Sequence, residues 1–355
     1  MKLSTSPRPR EGERVWVRGR RSLGRPFWQR LSRFVAAVTT AGALAGAGTA
    51  VAGEAGGLGL LVISTGPSKK VAVVELGTHR IVKTIPVGVE AHGLAVTKDG
   101  REVYVASMRG EEVPIYELAT GKQVVAVGVG GMSHHIEPSP DGRQMWVTVA
   151  PDKVVVIETG TRRLAGTIKV GQAPVAVVFA PDGRRAYVTN SESDSVSVVD
   201  VASLKVLASI VVGEFPDHAA IAPDGKRLYI TNNFSEDMSV VDTGANRVVA
   251  TVKVGKGPHG ITVSPDGRLV YVGNRGATTY SVISAATSKV VRTIEVGKEP
   301  EHMLALKVGG RTLLYMNRLS THQTLAVDPA TDKVVAAIDI GPDPHGFVAH
   351  IPGAR

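Results

Sequence analysis

The chain of 355 residues contains no cysteine. That excludes disulfides, thiolate metal sites, iron–sulfur clusters and covalent haem attachment through C-x-x-C-H. Tryptophan is nearly as scarce, and only Trp146 lies beyond the first 52 residues, a region that also lacks any extended run of Lys or Arg. With neither a basic stripe nor a set of stacking aromatics, nucleic acid is not an expected partner. Helical periodicity is absent after residue 58, and so are a nucleophile elbow, a phosphate-cradling glycine loop and an H-E-x-x-H zinc helix.

The formal charge of +9 at first points to an anionic partner. However, residues 1–52 hold ten Lys/Arg and two Glu, which leaves 31 basic against 30 acidic residues in the remainder. The basic stretch runs into an Ala/Gly-rich apolar segment from Phe34 to Ala52 that closes on Ala50-Val51-Ala52. This is the layout of a secretory signal cleaved after Ala52. The expected organisation is a signal peptide over 1–52, a linker over 53–58, the folded domain over 59–351 and a tail over 352–355. Arg20-Arg21 fits twin-arginine export. An uncleaved anchor is the rival reading, since the apolar segment is just long enough to span a bilayer. The chain is therefore expected outside the cytoplasm, periplasmic or secreted, as a monomer that meets a membrane only through an uncleaved leader.

What is present is a repeat. Gly88, Gly130, Gly171, Gly213, Gly255, Gly297 and Gly341 follow one another at intervals of 41 to 44 residues. Within residues 256–297, four short β-branched segments alternate in period two and are bounded by Gly, Pro, Asp and Asn: Gly260–Ser264, Leu269–Asn274, Tyr280–Ser284 and Lys289–Val296. Four strands in a unit of this length describe one propeller blade. The first unit, Leu60 to Gly88, lacks an innermost strand, and Gly346–Ile351 is an innermost strand with nothing after it. Joined, they make one composite blade. The expected fold is all-β, a seven-bladed β-propeller of four-stranded blades closed by the C-terminal strand pairing into the N-terminal blade. Closure protects the strand edges.

The strings Ala186-Tyr-Val-Thr-Asn190, Leu228-Tyr-Ile-Thr-Asn232 and Val270-Tyr-Val-Gly-Asn274, each shortly after Pro-Asp-Gly-Arg/Lys, resemble the YVTN family of β-propeller repeats. The resemblance covers residues 59–351 and implies the same fold in an extracytoplasmic protein. It implies no particular chemistry, because fold alone does not fix function.

Chemistry is suggested instead by histidine. His92, His134, His135, His218, His259, His302 and His345, seven of the ten histidines, fall at one phase of the repeat. Each stands at the start of an innermost strand, and so at the mouth of the central channel. Val175 takes that position in the third blade, and the spacing shifts by one residue at Asp217-His218 and Glu301-His302. The same face gathers loops that carry Arg109, Arg275 and Arg318. Four uses of this face are open. Duplicated histidines can cap neighbouring backbone. The mouth can bind a small molecule or a protein, with Asp217, Glu301 and the three arginines among its contacts. The imidazoles of His92, His134, His218, His259, His302 and His345 can hold copper or another transition metal, with Asp217 and Glu301 orienting the rings. Here Pro258-His259-Gly-Ile-Thr-Val-Ser-Pro-Asp-Gly267 is similar to the propeller domain of nitrous oxide reductase, which implies channel histidines around copper. That enzyme's cysteine-containing copper domain has no counterpart here, so electrons would come from another protein. Lastly, Asp266-Gly-Arg-Leu-Val-Tyr-Val-Gly-Asn-Arg275 is similar to seven-bladed lactonases, which implies a His base with an Arg to steady a developing anion. The leading expectation is an exported binding propeller, with a metal-dependent redox enzyme or a lactonase or lyase as the alternative.

Overall fold

A computed structural model describes residues 57–353, so the signal peptide and twin-arginine pair, most of the linker and the last two tail residues lie outside the described part. The described residues form seven four-stranded antiparallel sheets. Blades one to six follow in chain order from Ala91, with innermost strands Ala91–Val96, Ser133–Pro138, Pro174–Phe179, Pro216–Ile221, Pro258–Val263 and Pro300–Val308. Blade seven is the composite one. Its innermost strand is Pro344–His350, which pairs with Leu60–Thr65, then Lys70–Glu75, then Arg80–Pro86. The ring is closed by the C-terminal strand, as the unit count requires. No described helix is long and apolar enough to cross a membrane; the only helical pieces described are two 3₁₀ turns, Ser191–Ser193 and Leu319–Thr321.

The sheets hold together through apolar layers between neighbouring blades. Middle strands such as Arg185–Asn190 and Lys153–Glu158 are buried along nearly their whole length, which is why the second reads as a continuous Val/Ile run rather than simple alternation. Tyr104, Tyr187, Tyr229, Tyr271 and Tyr315 recur at one position of the second strand, and all are buried. In blade two Trp146 takes that place, fully buried, with its Nε1 donating to Gln144 Oε1 at 2.9 Å and its ring edge-on to Phe179 at 5.1 Å. The outermost strands expose alternate residues, including Val211 and Leu207.

The repeated turns follow from side-chain hydrogen bonding. In Ser264-Pro-Asp-Gly-Arg268, Asp266 Oδ1 accepts from Ser264 Oγ at 2.6 Å and from Arg268 N at 3.1 Å. Gly267 takes φ +74°, a left-handed conformation that glycine adopts without a Cβ clash. The same bonds occur at Ser139, Asp141 and Arg143.

Candidate functional site

Every innermost strand carries a β-bulge at the position of the histidines. Pro258 pairs with Asn274 and Ile261 with Val272, so His259 and Gly260 together face the single residue Gly273. The equivalent pairs are His92-Gly93, His134-His135, Val175-Ala176, Asp217-His218, Glu301-His302 and His345-Gly346. A bulge leaves backbone unpaired and re-aims side chains, and bulges are common beside functional sites. Glycine is required at the second bulge position where blades approach most closely: a Cβ on Gly260 would collide with the Glu301 carbonyl, and one on Gly346 with that of His92.

The Thr of the Tyr-Val-Thr-Asn string serves the freed backbone. Thr231 Oγ1 accepts the His218 N–H at 3.1 Å and donates to His259 O in the next blade at 2.7 Å. Thr148 makes the same link to Val175 O, Thr189 to Asp217 O and Ser64 to His92 O. In blade six Asn317 holds that place and donates to His345 O. Blade one has Ala106 there, and His92 Nδ1 lies 3.0 Å from His134 O instead. In blade one, then, an imidazole faces the carbonyl that a hydroxyl serves elsewhere. The string's Asn is equally structural: Asn190 Oδ1 accepts from Gly171 N, and its amide reaches Ser195 and Ser197.

With the bulges pinned, the seven histidines meet. Ring centroids lie 3.7 Å apart for His92–His345, 4.1 Å for His92–His134, 4.8 Å for His302–His345, 4.6 Å for His218–His302 and 4.7 Å for His218–His259. His135 joins through His218 at 6.3 Å. Two carboxylates stand among them. Asp217 Oδ2 is 3.5 Å from His259 Nδ1, and Oδ1 is 3.8 Å from His218 Nε2. Glu301, fully buried, has Oε1 3.3 Å from both His259 Nε2 and Arg275, and Oε2 3.2 Å from His345 Nδ1.

The electrostatics divide the cluster. Burial, then repulsion from neighbouring imidazoles, holds His92, His134, His218 and His302 well below the ordinary histidine range, and burial puts His135 at about 4. These rings are neutral, the form that ligates metals. His345 is the exception: burial opposes its charge, but Glu301 outweighs that and raises it. Glu301 mirrors this, since burial would push it up while His345 and Arg275 hold it well below the carboxylate range.

Six ring nitrogens have no aligned hydrogen-bond partner in the protein: Nδ1 of His134, His135 and His259, and Nε2 of His218, His302 and His345; the oxygens of Glu301 are held by ion pairs to Arg275, His259 and His345. An unpaired buried polar atom costs roughly 1–3 kcal/mol, so a run of them on one wall is a surface shaped for a polar occupant. One nitrogen each from His218, His259 and His302 lies within 4.8 Å of the others. The cavity lined by His218, His302, His92, His134 and Phe347 measures about 30 Å³. It exceeds the roughly 10–15 Å³ that a water needs and falls far below the roughly 300 Å³ of an organic-ligand pocket.

The arginines separate. Arg275 reaches the cluster. Arg109 instead pairs with Glu90 at 2.5 Å on the surface. Arg318 occupies the place of the structural Asn, bonding Val296 O at 3.0 Å and Gln323 Oε1 at 2.5 Å, so it braces its own blade. Two acidic residues near the cluster carry no signal in the repeat pattern. Glu137 follows His135 by two residues on the same innermost strand, opposite Trp146, and burial pushes it up to about 8. Asp343, two residues before His345, is also raised by burial.

Fold and site together define a closed β-propeller with an imidazole-lined axis. Residues 167–263, from the outer strand of blade two to the inner strand of blade five, match the family model of YNCE-like beta-propellers. No curated protein matches the chain. Among solved structures, it is similar to a functionally unknown protein from Desulfotomaculum acetoxidans, with 17% identity, 83% of this chain and 99% of that one covered, and a TM-score of 0.74. It is also similar to Kuenenia stuttgartiensis hydrazine synthase, with 19% identity, 81% and 100% covered, and a TM-score of 0.68. The dihydro-heme d1 dehydrogenase NirN aligns at 20% identity over 82% of this chain and 66% of its own, with a TM-score of 0.64. Similarity at these identities is similarity of fold.

Proposed function

We propose that this protein is an exported metal-binding propeller whose channel holds a transition-metal ion on His218, His259 and His302. The observation that carries this reading is the convergence of one ring nitrogen from each of those three residues within 4.8 Å, with His218 Nε2, His259 Nδ1 and His302 Nε2 unpartnered in the protein. Imidazole with carboxylate suits zinc, copper, nickel or iron rather than magnesium or calcium, which prefer oxygen. Glu301 at His259 Nε2 and Asp217 at 3.5 Å from Nδ1 fix the ring from both edges, the usual office of carboxylates around a metal-bound histidine. A bound ion of this kind supplies Lewis-acid polarisation or activates water.

Cavity size argues against the other readings inside the ring. An organic substrate for lactonase or lyase chemistry, or a dihydro-haem such as the one in NirN, does not fit about 30 Å³. A small molecule or protein partner would meet the ion from the top face, past Arg275. Capping accounts for His92 but not for His218 and His259, whose blade junction is already stitched by Thr231. The test is equilibrium titration of the full chain, without a poly-His tag, with Zn²⁺ and Cu²⁺. Wild type is expected to bind tightly and His218→Ala/His259→Ala to lose at least about 100-fold in affinity while keeping its fold. Equal, weak binding by both would overturn the reading.

A further inference from the structure

The cluster contains two donor groups, and they overlap. Besides His218, His259 and His302, one ligand atom each from Glu301, His302 and His345 also lies within 4.8 Å of the others. A tetrahedral site uses four ligands, or three and a water, so seven imidazoles and a carboxylate exceed what one ion engages. Glu301 is also turned two ways. Its Oε1 faces His259 and Arg275, whereas Oε2 faces His345 alone, and it has no exposed surface.

We infer that the channel holds two transition-metal ions side by side, the second on Glu301 Oε2, His302 and His345. This rests on the metal reading above and adds a direct ligand, Glu301, to what is otherwise an all-histidine site. Charge supports it. Apart from the imidazoles, Glu301 and Asp217 bring two negative charges to the wall against the single guanidinium of Arg275. The Nε2 atoms of His302 and His345 have no hydrogen-bond partner in the protein, and the two ring centroids lie 4.8 Å apart, so a metal ion arriving here displaces the proton that Glu301 favours on His345. Because His302 belongs to both groups, the two ions are neighbours rather than separate sites. A neutral imidazole has one lone pair, so His302 serves both ions as a bridging imidazolate, its ring N–H proton passing to solvent as the ions bind.

The test is native mass spectrometry of the full, untagged chain loaded with Zn²⁺, paired with electron paramagnetic resonance during Cu²⁺ titration. Wild type is expected to hold two zinc ions, and Glu301→Gln and His345→Ala are each expected to hold one. The first equivalent of copper is expected to give an isolated signal, and the second to broaden or diminish it through coupling. A single zinc in wild type would overturn the second site and leave the metal reading standing, whereas none would overturn both. Two ions that persist in both variants, or two uncoupled copper signals, would place the second ion elsewhere and overturn the proposal. Glu301→Gln keeps the side-chain shape, so the test survives if His345→Ala fails to fold.

Discussion

The same strands make two opposite kinds of surface, one between the blades and one along the axis. Between blades, residues such as Trp146, Tyr187, Val156 and Ile230 are buried and apolar, and Trp146 satisfies its one polar atom inside its own strand. Along the axis, seven imidazoles and two carboxylates crowd together with many of their polar atoms unpartnered in the protein. The first surface is what a fold needs. The second opposes folding, because buried polar groups cost free energy unless they are paired. A chain that tolerates the second surface has put stability from the first into holding it. The difference teaches where to look for function: not in the recurrent Tyr, Thr and Asn, which stitch blades together, but at the bulges they stitch.

The contrast is broken most strongly by acid. His92, His134, His135, His218 and His302 are held below their unfolded value of 6.5, so below that pH the unfolded chain binds more protons than the folded one, and stability falls as pH falls. Glu137 and Asp343, raised by folding, act in the opposite direction over this range, two groups against five, while the raised His345 adds stability that is already complete below pH 6.5 and is lost only as pH rises above it. A tenfold change in proton affinity is worth about 1.4 kcal/mol, so a net loss on the order of a few kcal/mol is expected between about pH 6.5 and about pH 4.5, measurable by urea denaturation at each pH. A flat profile would mean that the axis is fully solvated.

Next in size, Trp146→Ala attacks the apolar surface alone. It is expected to cost about 3–5 kcal/mol in denaturant unfolding, as large aromatic truncations do, with metal affinity unchanged in the folded fraction. His218→Ala/His259→Ala is the converse: a loss of at least about 100-fold in affinity, about 2.7 kcal/mol, with a melting temperature no lower than that of wild type without metal. Thr231→Val tests the link between the two surfaces. Removing a hydroxyl that serves His218 N and His259 O is expected to cost about 1–3 kcal/mol by the same unfolding assay and to weaken metal binding by loosening both ligands. Arg109→Ala should do least, within about 0.5 kcal/mol, since its pair with Glu90 is exposed.

The architecture was legible because it is written seven times. Marker glycines, Asp-Gly turns and period-two runs repeat, and the composite blade follows from an unpaired strand at each end. The convergence of histidines was legible for the same reason, as a phase that becomes a ring once the repeats close. Single-copy features were not. Arg318 looks like Arg275 on a loop after a strand, yet blade six carries its stitching amide one residue early, at Asn317, and that shift puts Arg318 in the structural Asn position. Glu137 looks like an ordinary strand residue because nothing in the repeat marks that its carboxyl will be buried. The bulge is hidden as well. Alternation alone starts the inner strand of blade five at Gly260, whereas it begins at Pro258 and carries His259 within it.

The central claim is that His218, His259 and His302 are metal ligands rather than caps. An anomalous difference map from crystals of the full chain grown with zinc tests it directly. A peak is expected at about 2.0–2.1 Å from one nitrogen of each of the three rings. Metal only at other residues, with those three imidazoles bonded to neighbouring backbone carbonyls, would contradict it.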